Sequence, residues 1–160
     1  MKHQTNLTDI PSTGFLAELS HQDRRELLSK GVRQPFAADE TVIRQGQTQQ
    51  TLYLVLEGAL RARCHSHDSV VDIGLLDKGD CFGEMSLLDP LKASATIKAT
   101  KSGAFWKIEK PGFQDYLSDH PQAGIKLLTF FGIQLTRRMR KAEDQLLRLN
   151  QRPVGFDYDY

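Results

Sequence analysis

Cysteine is scarce: Cys64 and Cys81 are the two in 160 residues. One pair gives no disulfide framework, and both are read as reduced thiols. No apolar run approaches the roughly 20 residues that a membrane helix needs, and the N-terminal Met-Lys-His-Gln-Thr-Asn lacks the apolar stretch of a secretory signal. The expected compartment is therefore the cytoplasm, with no membrane partner. An excess of one charge is missing too, with 21 Lys and Arg against 20 Asp and Glu, so bulk charge argues neither for nucleic acid nor for an acidic surface. No Walker loop, dinucleotide fingerprint, nucleophile elbow or zinc-protease helix occurs, and no enzyme activity is assigned. Repeats at solenoid periods and low-complexity stretches are also absent.

What is there suffices for one domain with a core, and not for two. A helical segment lies between Asp9 and Lys30, where Ser20 ahead of Asp23 reads as a capping-box-like helix start and Gly31 as its end. From Val32 to Ile108 short alternating runs are punctuated by Gly46, Gly58, Gly74, Gly79, Gly83 and Gly103, the texture of many short antiparallel strands. Leu60, Ala62 and Cys64 alternate with Arg61 and Arg63, and Ala95, Ile97 and Ala99 with Thr96, Lys98 and Thr100; each row is a half-buried strand. Pro111 suits the first turn of a helix faced by Phe113, Tyr116 and Leu117, which His120-Pro121 breaks. The expected fold is α+β, mainly β: an antiparallel β-roll of the double-stranded β-helix, jelly-roll type, with an N-terminal helix, a short helix after Gly83 and a long C-terminal helix.

That last helix, from Gln122 to Asn150, carries a heptad. Ile125, Gly132, Met139 and Leu146 fall at one position, and Leu128, Leu135, Ala142 and Leu149 at the other. The stripe is either a homodimer seam, which is favoured, or a face that packs back on the chain's own roll. The basic run Arg137-Arg138-Met139-Arg140-Lys141, followed by Glu143 and Asp144, reads as a solvated face flanking the seam. Expected boundaries are an N-terminal segment 1–13, a domain 14–150 and a tail 151–160, whose Phe156 to Tyr160 alternate aromatics with acids and are a candidate docking element. Cys64-His65-Ser66-His67 is the one dense cluster of metal-capable side chains, but strand neighbours cannot converge on one ion, so it reads as an exposed polar turn.

The most informative stretch is Phe82, Gly83, Glu84, Met85, Ser86 and Leu87, then a short loop, then Lys92, Ala93, Ser94, Ala95 and Thr96. It resembles the phosphate-binding cassette of the cyclic nucleotide-binding domain family. Phe36-Ala-Ala-Asp-Glu-Thr-Val-Ile-Arg-Gln-Gly, Leu52-Tyr-Leu-Val-Leu-Glu-Gly and Leu75-Leu-Asp-Lys-Gly-Asp-Cys-Phe-Gly-Glu resemble further family landmarks in the family's order. The resemblance covers about residues 14 to 148.

It implies a candidate cyclic or related nucleotide ligand, with no certain cofactor. Amides near Met85, Ser86 and Leu87 would serve the phosphate, Gly83 would permit close approach, Glu84 would accept from the ribose hydroxyl, and Ser94 would add a donor. Glu84 has a second reading, as a first-turn acid that stabilises its own helix. The family arginine that pairs with the phosphate falls on Ala93. Losing such a cation typically costs about 2–5 kcal/mol, so ordinary cyclic AMP binding is expected to be weak or absent. Lys92 is adjacent but enters the strand on the opposite face. The resemblance further implies movement of the C-terminal helix as the signal; no DNA reader follows within this chain, so sequence-specific DNA binding by it alone is not expected. The alternative is a ligand-independent dimeric scaffold or protein-interaction module.

Overall fold

The computed structural model describes residues 10, 12–66 and 68–150, the last two as backbone alone. His67, the side chain of Leu149 and the tail Phe156 to Tyr160 lie outside the described residues. A short 3-10 helix, Gly14–Glu18, precedes α1, His21–Ser29. Ser20 caps α1 as its sequence suggests, its side chain accepting a hydrogen bond of 3.1 Å from the amide of Asp23. Six strands follow: β1 Val32–Phe36, β2 Thr41–Ile43, β3 Thr51–His65, β4 Val70–Leu76, β5 Cys81–Phe82 and β6 Thr96–Glu109. Between β5 and β6 lies α2, Glu84–Leu88; after β6 come α3, Lys110–Asp119, and α4, Pro121–Asn150.

All pairings are antiparallel, in the order β1-β6-β3-β4, with β2 on β6 and β5 on β3. β3 and β6 are long enough to serve the whole roll because they bend. Their register shifts around Val55, Glu57, Ala59 and Leu60, where Gly58 stands at φ +82°. A Cβ on Gly58 would lie 2.5 Å from the Ser102 carbonyl oxygen. The strand therefore continues through Gly58 as a bulge, where the sequence pattern suggests a strand running into a turn.

Two apolar clusters sit on opposite faces of these strands. Leu52, Leu54 and Leu56 of β3, with Trp106 and Ile108 of β6, face the helices and meet Phe15, Leu27, Leu28, Phe113, Tyr116, Leu127 and Phe131. Tyr53, Val55, Leu60 and Ala62, with Ile97, Ala99 and Phe105, face the inside of the roll. Burial on both faces explains the continuous run Leu52 to Leu56, which period-2 alternation alone would not produce. Trp106 closes the helical side by donating its indole N–H to the Leu28 carbonyl at 3.2 Å. Among the described residues no helix is long and apolar enough to cross a membrane.

Candidate functional site

The site begins with a backbone constraint. Gly83 sits at φ +86° as the cap of α2, and a Cβ there would lie 2.2 Å from the Thr51 carbonyl oxygen. Glycine alone tolerates both the left-handed conformation and the approach to β3. Phe82 anchors the turn from the other side, stacked on Tyr53 with ring centroids 4.6 Å apart. The chain then enters α2 with Glu84 in its first turn, where a carboxylate is favoured by the helix's unpaired amides.

Glu84 is 1% exposed, a buried acid that needs a partner. Arg138 of α4 provides one: one arm of its guanidinium pairs with the Glu84 carboxylate, and another donates to the Cys81 carbonyl at 3.0 Å. The fork thus ties the end of α4 that contacts the roll to both sides of the Gly83 turn. The geometry corrects the reading of Arg138 as part of a solvated basic face. A signal existed in the sequence: Leu127, Phe131 and Arg138 recur at helical spacing, so a row buried at Leu127 and Phe131 carries Arg138 to the roll. Cys81, 4% exposed, has its thiol pushed up to about 12, by burial first and by the Glu84 charge second. It stays protonated and unreactive near neutral pH.

The remaining cassette residues divide between two sides. Ala93 is 8% exposed and belongs to the apolar cluster inside the roll. Its backbone pairs with the Gly46 turn, accepting from the Gly46 amide at 2.8 Å and donating to the Gln47 carbonyl at 2.9 Å. Lys92 points the other way and is exposed. Ser86 is buried, Ser94 exposed, and Ala95 and Thr96 half-buried; the Thr96 hydroxyl accepts from the Gln45 amide at 3.1 Å. A cavity of about 250 Å³ opens on the outer side of α2, lined by Met85, Leu88, Leu91, Lys92, Ser94 and Leu135 among others. Its walls are mostly apolar, and Lys92 is the one cation among them.

His65 ends β3, at the hairpin where the sequence puts an exposed polar turn. Among the described residues no group of three or more His, Cys, Asp and Glu side chains could hold a metal ion.

A family model, the cyclic nucleotide-binding domain, matches residues 33–120. The chain is 32% identical over 108 residues to a cAMP-dependent protein kinase regulatory subunit of Eremothecium gossypii, covering 68% of this chain and 23% of that protein. It is 30% identical over 120 residues to the cyclic AMP receptor protein of Thermus thermophilus, covering 74% and 54%. The crystal structure of the Thermus thermophilus catabolite activator protein aligns with a TM-score of 0.74 and 27% identity, over 85% of this chain and 62% of that one. The chain spans about a quarter of the length of the kinase regulatory subunits it matches.

Proposed function

The chain belongs to the cyclic nucleotide-binding domain family, and from that premise we propose that it is a cytoplasmic regulatory sensor whose pocket has moved away from ordinary cyclic AMP recognition. One observation carries the reading: the ribose-directed acid of the cassette, Glu84, is held by Arg138 of α4, while Ala93 leaves the roll side of the phosphate site apolar. A nucleotide entering beside Gly83 would compete with Arg138 for Glu84. Its differential affinity for the paired and unpaired arrangements would then set the position of α4, which is the physical content of a ligand-driven switch. The amides of the α2 first turn and Ser94 would serve as donors to a phosphate, and the Arg138 guanidinium that holds Glu84 rides on the helix that would move.

A second reading rests on the same ion pair. Glu84 is satisfied without ligand, which suits a module that keeps the roll and helix as a scaffold for protein partners.

Calorimetric titration with cyclic AMP, cyclic GMP and a cyclic dinucleotide separates the two, using wild type, Ala93→Arg and Glu84→Ala. The sensor with an altered pocket predicts weak or no cyclic AMP binding by wild type and a gain of roughly 30-fold or more in Ala93→Arg. Low-micromolar cyclic AMP binding by wild type, lost in Glu84→Ala, would overturn the claim that the pocket is altered. Silence from wild type towards all three ligands, with binding restored by Ala93→Arg, would favour the scaffold.

A further inference from the structure

The two faces of α2 are finished differently. Glu84 and Leu87 are buried, 1 and 3% exposed, whereas Met85 and Leu88, one turn apart on the other face, are 52 and 44% exposed. Leu91 follows at 66%. Leu135 of α4 stands opposite them, half-buried, and these four side chains wall the cavity of about 250 Å³. Apolar groups gathered round one space, unlike single exposed ones, mark a surface that something covers.

Polar side chains converge on the same space. Ser86 lies at its floor, 7% exposed. The hydroxyls of Ser29, Ser118 and Thr136 bond back to carbonyls of their own helices; that of Ser86 has no partner among the described residues, which for a buried polar group calls for an explanation. Ser94 and Lys92 stand at the rim, both exposed. Lys30 and Lys98 each pair with an aspartate, but Lys92 makes no ion pair among the described residues. Its backbone is nonetheless fixed, bridged to Thr48 and followed by the paired Ala93, so the ammonium swings from a firm anchor. Asp89 is the one acid on the rim.

Size and chemistry select the occupant. Drug-sized ligands take about 300–1,000 Å³, so this cavity suits something smaller, a short acyl chain or a single ring. A nucleotide's base and ribose would find no hydrogen-bonding partners on these walls, while one cation beside two hydroxyls suits one carboxylate. We infer that the cavity outside α2 is a second ligand site, for a small free monocarboxylate whose apolar body lies among Met85, Leu88, Leu91 and Leu135 and whose head is held by Lys92 and Ser94. The site is separate from the nucleotide side, because Glu84 and Ala93 face the roll and their neighbours Met85 and Lys92 face out. Its occupant would tie α2 to Leu135, one turn before Arg138, and so brace α4 from outside the pocket.

The test titrates octanoate, octan-1-ol and octylamine into the full chain labelled at its methionine methyls. There are three such methyls, on Met1, Met85 and Met139, and Met85→Leu assigns the cavity signal by removing it. Octanoate should shift the Met85 methyl saturably, leave Met139 still, and bind more tightly than the alcohol or the amine. Lys92→Gln should weaken octanoate about 5-fold and leave octan-1-ol unchanged; Lys126→Gln, a control lysine on α4, should change neither. Asp89→Asn should tighten octanoate by removing the opposing charge. Leu135→Trp, which fills the cavity, should abolish the shift while the melting temperature holds. A still Met85 methyl would overturn the site, as would Met85 and Met139 moving together, the mark of detergent-like adsorption. Octylamine matching octanoate, or no effect of Lys92→Gln, would overturn the carboxylate assignment. Octanoate bound through Lys92 by a chain indifferent to every nucleotide tried would uphold this inference and remove the nucleotide-sensor reading.

Discussion

Gly83 and the residues around it carry the sharpest expectations. Gly83→Ala forces a Cβ into the left-handed region and against the Thr51 carbonyl, so urea melts should show a loss of at least about 2 kcal/mol. Arg138→Ala strands a carboxylate that is 1% exposed, and the expected loss is about 1–3 kcal/mol. The double variant Glu84→Gln with Arg138→Met should be less destabilised than the sum of the singles, since it removes the unpaired charge along with its partner. Cys81 supplies a pH signature. Its folded thiol is raised from 9.0 to about 12, so the unfolded chain releases the proton first. The stabilisation is complete below pH 9.0 and is lost as pH climbs towards about 12. Thermal melts of Cys81→Ala should therefore fall less steeply than wild type through that alkaline window. The turn and short helix from Phe82 to Ser86 were legible because Gly83 and Glu84 have backbone reasons to be there. Arg138 was not, because a basic run looks solvated until the buried row Leu127–Phe131 shows which side faces the roll.

Single elements differ in how plainly they announce themselves. The cap at Ser20, the start of α3 at Pro111 and the break at His120-Pro121 rest on local backbone chemistry, and the structure has them where the residues imply. The course of β3 is less local. Its bulge at Gly58 depends on Ser102, which is 44 residues away in sequence and meets it through the β3–β6 pairing. α4 is two helices in energetic terms. Phe131 is fully buried in the helix-facing cluster, so Phe131→Ala should cost about 3–5 kcal/mol by denaturant melts. Leu146→Ala, on the exposed half, should change monomer stability by no more than about 0.5 kcal/mol in dilute solution, while lowering the affinity of any dimer built on that stripe.

At the scale of the molecule, the two apolar clusters divide the labour. The inner one shapes the roll and closes over Ala93, and the outer one glues the helices to the strands. If two copies associate through α4, the melting temperature should rise with protein concentration, and Met139→Lys should flatten that dependence. The division between clusters has one more consequence, which concerns observation. Trp106 is the chain's single tryptophan; it lies in the outer cluster, 1% exposed, against Phe15 and bonded to Leu28. Its fluorescence is thus a built-in gauge of the helical layer: a red shift would mean that water has come between the helices and the strands, whatever is happening inside the roll.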